Sequence, residues 1–339
     1  MPIHTVAGRP SASSDHGRRL PHRDHARCGR GRTARAGLAA PPAAGLFRRA
    51  ISQSGNGLCA VPSDHSLAIT RQVCALLGLP PRAEAFLGVD DARLTAAVDE
   101  LPPTGPALSG HVDPSLGNSP FKPVLDGVLQ ERQPALALRA AGRNGAGPVA
   151  ARELLIGTNA DEAALYTVPD GAVSAMTPGT LAAVAARRSA RPEALLAHYR
   201  TRFPDAGPGV WATHLMTDVY RAGSRALADA HSALPGTRTF AYAFDWRSAA
   251  FEGQLGACHC VELPFVFDRT ELPALHGARA LLGPGRPGRV AGLAARTHAA
   301  RVAFATHGDP GWQPYDADGR ATMHLDHSWR LRCGAPDVA

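Results

Sequence analysis

The stretch GACHCVELPFVFD, residues 256–268, places His259 between Cys258 and Cys260. A histidine in this setting can be a metal ligand, a packed core residue or a general base. On an extended backbone the two sulfurs would point to one face and the imidazole to the other, which makes a poor tetrahedral site. No second Cys/His pair with a spacing such as C-x2-C accompanies this one, so the pattern argues against zinc.

A second group of possible metal ligands comprises His324, Asp326 and His327. A single H-x-D-H pattern is more often a polar surface turn than a metal site. We therefore predict no metal and no other cofactor.

If His259 is a base, it needs a nucleophile and a carboxylate that holds its other ring nitrogen. Glu162, in GTNADE, follows an apolar run at Leu154–Ile156. That position is the carboxyl end of a buried strand, where open α/β sheets place catalytic groups. Asp161 is adjacent and competes for the same role. Alternatively, TNADE is a helix N-terminal cap with acids that favour the helix dipole.

The elements that would position these residues alternate between strands and helices. Predicted strands lie within residues 45–55, 151–166 and 238–246, and predicted helices within 63–78, 213–233 and 290–310. Ser63 or Asp64 is the expected cap of the first helix, whose apolar face includes Leu67, Val73 and Leu77. Gly308 and Pro310 are expected to end the last one. This order predicts an α/β fold with a mainly parallel sheet covered on both faces.

Composition limits the class of protein. The 339 residues suit one large domain or two small ones, and 45% hydrophobic with 19% charged residues is typical of a globular chain. Lys122 is the only lysine, so the net charge of +7 comes from arginine. Because a GC-rich genome would impose that bias without selection, the basic charge is not taken as evidence for nucleic acid.

Apolar runs bear on the location of the chain, whereas its cysteines leave the redox compartment open. No apolar run is long enough to cross a bilayer and no secretory signal is visible, which favours a soluble, cytoplasmic protein. Six cysteines in a chain of this length are too few for a disulfide scaffold, and Cys74 is expected to be a free buried thiol. Residues 1–40 show no helical or strand period and are expected to be a disordered or aberrant segment. The alternative is an Arg-rich arm that binds nucleic acid.

Five segments in order resemble the type-B carboxylesterase family, the α/β-hydrolases that include cholinesterases and bacterial para-nitrobenzyl esterases. The resemblance extends from Gly45 to about Trp329 and divides the chain into a segment 1–40, an esterase-like domain 45–330 and a tail 331–339. The five segments are GLFRRAISQSG (45–55), FKPVLDGVL (121–129), LLIGTNADEAALY (154–166), GACHCVELPFVF (256–267) and WQPYDADGRATM (312–323).

The resemblance implies a serine esterase with a Ser-Glu-His triad acting on small-molecule carboxylic esters. Glu162 matches the triad acid and His259 the triad base, while Glu262 matches a carboxylate that we expect to fix the loop. Cys258 and Cys260 then become loop packing. Neither nucleic acid nor membrane is an expected partner, and the oligomeric state stays open.

The family nucleophile lies in a G-x-S-x-G elbow, and this sequence contains no such pattern. Ser54, in SQSG, belongs to a strand end, and Cys28 lacks an elbow context. The glycine-rich oxyanion loop is also missing, so the chain is expected to be inactive as written. One hypothesis is that the first part of a longer esterase domain is absent and that residues 1–40 are read in the wrong frame. The alternative function is a non-catalytic, esterase-like binding protein.

Overall fold

A computed structural model describes residues 26–30, 43, 46–101, 121–143, 151–285 and 287–334. In this part of the chain, six strands form one sheet in the order β1-β2-β5-β6-β7-β8, and two short strands pair separately. All neighbours in the large sheet are parallel except β7 and β8, which are antiparallel. The strands are β1 (Ala26–Arg30), β2 (Arg49–Gln53), β3 (Val61–Pro62), β4 (Val124–Leu125), β5 (Glu153–Asn159), β6 (Arg238–Phe244), β7 (Thr322–Leu325) and β8 (Arg330–Arg332).

Helices surround this sheet, with short 3-10 turns at residues 83–86, 273–275 and 287–290. None of the helices in the described residues is long and apolar enough to span a membrane. The α-helices are α1 (Ser63–Leu77), α2 (Asp91–Asp99), α3 (Pro134–Arg143), α4 (Ala164–Thr167), α5 (Ala172–Ala175), α6 (Pro178–Arg188), α7 (Pro192–Arg202), α8 (Pro208–Ser232), α9 (Leu263–Val266) and α10 (Ala291–His307).

Strand β6 shows why the sheet is covered on both faces. Its side chains alternate in direction, so Phe240 and Phe244 pack in the cluster that includes residues of α10, whereas Ala241 belongs to the cluster that includes residues of α8. Phe240 meets Phe304 of α10 edge to face, with ring centroids 6.1 Å apart. Each fully buried phenylalanine contributes about 1.5–3 kcal/mol to folding. The predicted α/β class and mainly parallel sheet are confirmed.

Both ends of the described chain differ from expectation. Strand β1 lies inside segment 1–40, for which no regular structure was expected, and pairs in parallel with β2. A parallel ladder uses backbone groups, so it does not require an apolar period. Strand β8 likewise includes residues 331–332 of the expected tail. The rest of segment 1–40 and residues 335–339 lie outside the described residues.

The first helix begins and packs differently from the prediction. Its N-cap is Pro62, and no side chain caps it, so the assignment of that role to Ser63 or Asp64 was wrong. Val73 and Leu77 are buried as predicted, in the cluster shared with α2, but Leu67 is 51% exposed. The helical period was read correctly, but the buried face depends on where the neighbouring helix lies.

Two longer helices and the cysteines agree with the sequence analysis. Helix α8 extends the predicted segment 213–233 at its start, and α10 ends at Gly308, whose left-handed φ of 77° is typical of a helix C-terminus. Cys74 is buried and free, as expected. The cysteines at 59, 258, 260 and 333 are free as well.

Candidate active site

Two loops at the carboxyl edge of the sheet bring the candidate residues together. Strands β5 and β6 are parallel neighbours, and one loop follows each of them. The loops are joined by main-chain hydrogen bonds from the Asp161 amide to the Ala257 carbonyl (2.9 Å) and from the His259 amide to the Glu162 carbonyl (3.1 Å). These bonds fix the distance between two side chains that are separated by almost one hundred positions in the sequence.

Glu162 and His259 form a hydrogen-bonded pair. Oε2 of Glu162 lies 2.6 Å from Nδ1 of His259, and Oε1 accepts the amide of Asn159 at 2.8 Å. The Glu162 side chain is fully buried, whereas 24% of the His259 side chain remains exposed. The carboxylate therefore holds Nδ1 and leaves Nε2 as the ring nitrogen that can accept a proton from a bound group.

The electrostatics favour a charged imidazole. Burial by itself lowers the pKa of His259. The negative charge of Glu162 and hydrogen bonds with Cys260 and Glu162 raise it, and the net pKa is well above 6.5. The raised pKa means that Glu162 stabilises the imidazolium that forms when His259 takes a proton.

Asp161, the other candidate acid, serves the loops instead. Its Oδ2 accepts Nη1 of Arg247 at 2.6 Å and the amide of Ala257 at 2.8 Å. Gly256 makes this approach possible, because a Cβ at residue 256 would lie 2.4 Å from Oδ2 of Asp161. The φ of Gly256 is 55°, in the left-handed region that favours glycine. Of the two adjacent carboxylates, the structure therefore brings only Glu162 onto the imidazole.

Glu262 ties the site to two strands. Its carboxylate accepts Nδ2 of Asn159 at 2.5 Å and Nε2 of Gln53 at 3.2 Å. Burial raises the pKa of Glu262, and the charge of Glu162 raises it further. Since Asn159 also donates to the Cys258 carbonyl at 2.8 Å, the expectation that Glu262 fixes the loop has a structural basis.

Two local interpretations were wrong. Helix α4 has Ala163 as its N-cap and no side-chain cap, so TNADE does not cap a helix. The backbone at His259 is a turn rather than extended, and Cys260 has a φ of 68°. Cys258 is fully buried in the core cluster, where burial raises the pKa of its thiol. The turn forms because main-chain bonds to the neighbouring loop outweigh the local extended preference.

The H-x-D-H segment also differs from expectation. His324 lies in strand β7 rather than in a turn, and its Nδ1 is 2.5 Å from Oδ2 of Asp245. Asp326 and His327 follow the strand in a bend at the surface. No group of three or more His, Cys, Asp or Glu side chains that could hold a metal ion occurs in the described residues.

The residues considered as nucleophiles lie in or directly after strands β1 and β2. Cys28 is in β1, opposite Ile51 of β2. Ser54 follows β2, has a φ of 50°, and its amide donates to the Gly157 carbonyl at 2.8 Å. This agrees with its assignment to a strand end.

Sequence reasoning missed several residues of the site. Asn159 and Gln53 lie in the quoted motifs, but their amide groups were given no role. Tyr166 and Tyr220 face the imidazole, with ring centroids 5.9 and 5.3 Å from that of His259. A polar residue at the end of each strand was the signal for Asn159 and Gln53. No comparable local signal identified the tyrosines, which approach from α4 and α8.

The arrangement of a mainly parallel sheet, an acid after one strand and a histidine after the next defines an α/β-hydrolase fold. Among solved structures, the carboxylesterase of Geobacillus stearothermophilus at pH 6.2 matches with a TM-score of 0.67 and 27% identity, covering 88% of this chain and 59% of that one. A PNB esterase matches with a TM-score of 0.63 and 25% identity, covering 88% of this chain and 58% of its own.

Sequence comparison gives the same result. The family model described as the carboxylesterase family matches residues 31–328, and the chain belongs to that family. The para-nitrobenzyl esterase of Bacillus subtilis (strain 168) is 27% identical over 306 residues, which cover 85% of this chain and 55% of that protein. The chain thus spans little more than half the length of these relatives.

Proposed function

We propose that Glu162 and His259 are the acid and base of carboxylic-ester hydrolysis by a Ser-Glu-His mechanism, and that this chain is inactive as written. The contact of 2.6 Å between Oε2 of Glu162 and Nδ1 of His259 is the observation that carries the first part. The absence of G-x-S-x-G from the 339 residues supports the second.

In this mechanism Nε2 of His259 takes the proton of an attacking hydroxyl and later returns it to the leaving alcohol. Glu162 keeps the imidazole in one tautomer and offsets the positive charge. Asp161 and Glu262 act through the loops and touch neither the ester nor the transferred proton. The substrate is a small carboxylic ester, which approaches from the side of Tyr166 and Tyr220.

A turnover measurement tests the inactive state. Purified chain and the His259→Ala variant are compared for hydrolysis of para-nitrophenyl acetate, and each is treated with a fluorophosphonate that labels activated nucleophiles. We expect equal background rates and no covalent adduct. Hydrolysis that depends on His259, or an adduct on any serine or cysteine, would show that the chain supplies its own nucleophile.

Ester recognition is tested separately by NMR. Because no turnover is expected, para-nitrophenyl acetate can be titrated while the ring signals of His259 are followed. Shifts of those signals that are lost on adding a large excess of a competing ester support the proposed substrate class. Unchanged His259 signals at saturating ester would refute ester binding and favour a different ligand for the same fold.

A further inference from the structure

A second concave site lies beside the one described above, against strands β5, β6 and β7. It is a cavity of about 340 Å³, and neither Glu162 nor His259 lines it. The described residues that line it carry one carboxylate, Asp245, and five guanidinium groups. The arginines are Arg202, Arg221, Arg225, Arg320 and Arg332.

Some of this charge is already neutralised. Nη1 of Arg221 lies 3.0 Å from Oδ1 of Asp218, and its Nη2 donates to the Ala160 carbonyl. Asp245 is bound to His324 at 2.5 Å. Arg320 donates Nε to the Ala317 carbonyl at 3.0 Å, and its Nη2 forms a long ion pair with Oδ2 of Asp229 at 3.9 Å.

Arg225 is not neutralised in this way. This half-buried side chain makes no hydrogen bond and no ion pair with the described residues. Burial lowers the pKa of its guanidinium and the positive charge of Arg320 lowers it further, while the negative charges of Asp229 and Asp218 act in the opposite direction. A partly desolvated guanidinium whose N–H donors make no hydrogen bond within the described residues is stabilised when a bound anion accepts from them.

The floor of the cavity limits the kind of anion. Ile156, Ala228 and Ala241 give it an apolar surface, and the hydroxyl of Tyr315 donates to Oδ1 of Asp229 at 2.6 Å. Ligand pockets of about 300–1,000 Å³ hold organic molecules, so an inorganic ion would leave most of this space to water. An apolar floor with a cationic rim matches an organic anion.

We propose that this cavity binds a small organic anion, a carboxylate or phosphate monoester attached to an apolar group, whose charged end lies between Arg225 and Arg320. The planar guanidinium offers paired N–H donors that match two oxygens of either group. The apolar part lies on the floor formed by Ile156, Ala228 and Ala241. Asn159 lines this cavity and also belongs to the first site, but neither Glu162 nor His259 lines the cavity, so the two sites can be tested separately.

Calorimetric titration with four probes tests the ligand class. Benzoate and phenyl phosphate carry the two charged groups on one ring, benzyl alcohol keeps the ring without the charge, and inorganic phosphate keeps the charge without the ring. We expect one of the organic anions to bind at least about tenfold more tightly than both controls. The better of the two identifies carboxylate or phosphate as the charged group. Equal binding of benzyl alcohol, or preference for inorganic phosphate, would overturn the proposal.

Matched variants locate the binding. Arg225→Met keeps the apolar stem but removes the charge, and Arg187→Met removes the same charge from an exposed position on α6. We expect about a tenfold loss of affinity in the first and none in the second. An equal loss of affinity in the two variants would mean that only the net charge of the protein matters, and it would contradict the placement of the ligand at Arg225.

Two further variants keep this test decisive. Arg225→Lys retains the positive charge but lacks the paired N–H donors of the guanidinium, so its affinity should lie between those of the native chain and Arg225→Met. If Arg225→Met does not fold, Arg225→Lys should still bind more weakly than the native chain. His259→Ala should bind the anion unchanged, and loss of binding there would move the ligand to the ester site. Thermal unfolding of each variant confirms that the compared proteins are folded.

Discussion

The proposed ester site and the arginine-lined cavity lie near the same edge of one sheet, yet their charges are balanced differently. At the ester site Glu162 is paired with His259 and Asp161 with Arg247. In the cavity five arginines line the space with one carboxylate. Pairing inside the protein holds a proton between fixed partners. In the cavity Arg221 is paired with Asp218, whereas Arg225 makes no hydrogen bond or ion pair with the described residues and is available to a ligand.

This difference has an energetic meaning. Removing one partner of a buried pair leaves the other charge without compensation, so such a change destabilises the fold. Removing a charge that repels a like charge nearby should lower the free energy of unfolding little, and it can raise it. Stability measurements on matched variants therefore distinguish a site that is complete within the protein from one that requires a ligand.

The largest effect is expected for Glu162→Gln. The glutamine keeps the shape and can still accept the Asn159 amide, but it removes the charge that faces His259. We expect the free energy of unfolding to fall by about 2 kcal/mol near pH 6, less than for a fully buried pair because the imidazole is partly exposed. Urea unfolding measures it, with the exposed Glu193→Gln as the control. A loss no larger than the control would mean that the pair is not formed in solution.

The pH dependence of that loss comes next. Because folding raises the pKa of His259 above 6.5, the stabilisation is fully present below about pH 6.5 and is lost as the pH rises through the raised value. Each unit of difference in pKa between the folded and unfolded states is worth about 1.4 kcal/mol. The gap in unfolding free energy between native chain and Glu162→Gln should therefore be wider at pH 6 than at high pH. A gap that widens with rising pH would contradict the direction given for His259.

A smaller effect is expected for Asp161→Asn. The change weakens the bond to Arg247, whose side chain is 59% exposed, and keeps an oxygen that can accept the Ala257 amide. We expect a loss of about 1 kcal/mol or less in urea unfolding. The pKa of His259, followed by NMR, should change little, whereas Glu162→Gln should lower it. An equal fall in both variants would remove the distinction between the two acids.

The smallest effect is expected for Arg225→Met without added ligand. Loss of an unpaired charge beside Arg320 should change the free energy of unfolding by no more than about 0.5 kcal/mol, or increase it. Thermal unfolding at low and moderate salt checks this. Destabilisation comparable to that of Glu162→Gln would show that Arg225 is a structural residue, and the contrast between the two sites would fail.

Several features could be predicted from the sequence because they depend on neighbours along the chain. The alternation of Phe240, Ala241 and Tyr242 defines a strand with two buried faces, and Gly308 marks the end of a helix. Placing Glu162 and His259 in loops after two such elements needed only chain order and the family motifs.

Tertiary structure alone decided the rest. The bond from Asn159 to Glu262 joins residues 103 positions apart, and Arg225 meets Arg320 only because α8 and the turn before β7 lie near the same cavity. Such contacts depend on strand order and on the direction of each side chain, which no local pattern contains. The sequence determined which groups can carry charge, and the fold determined which of those charges are paired.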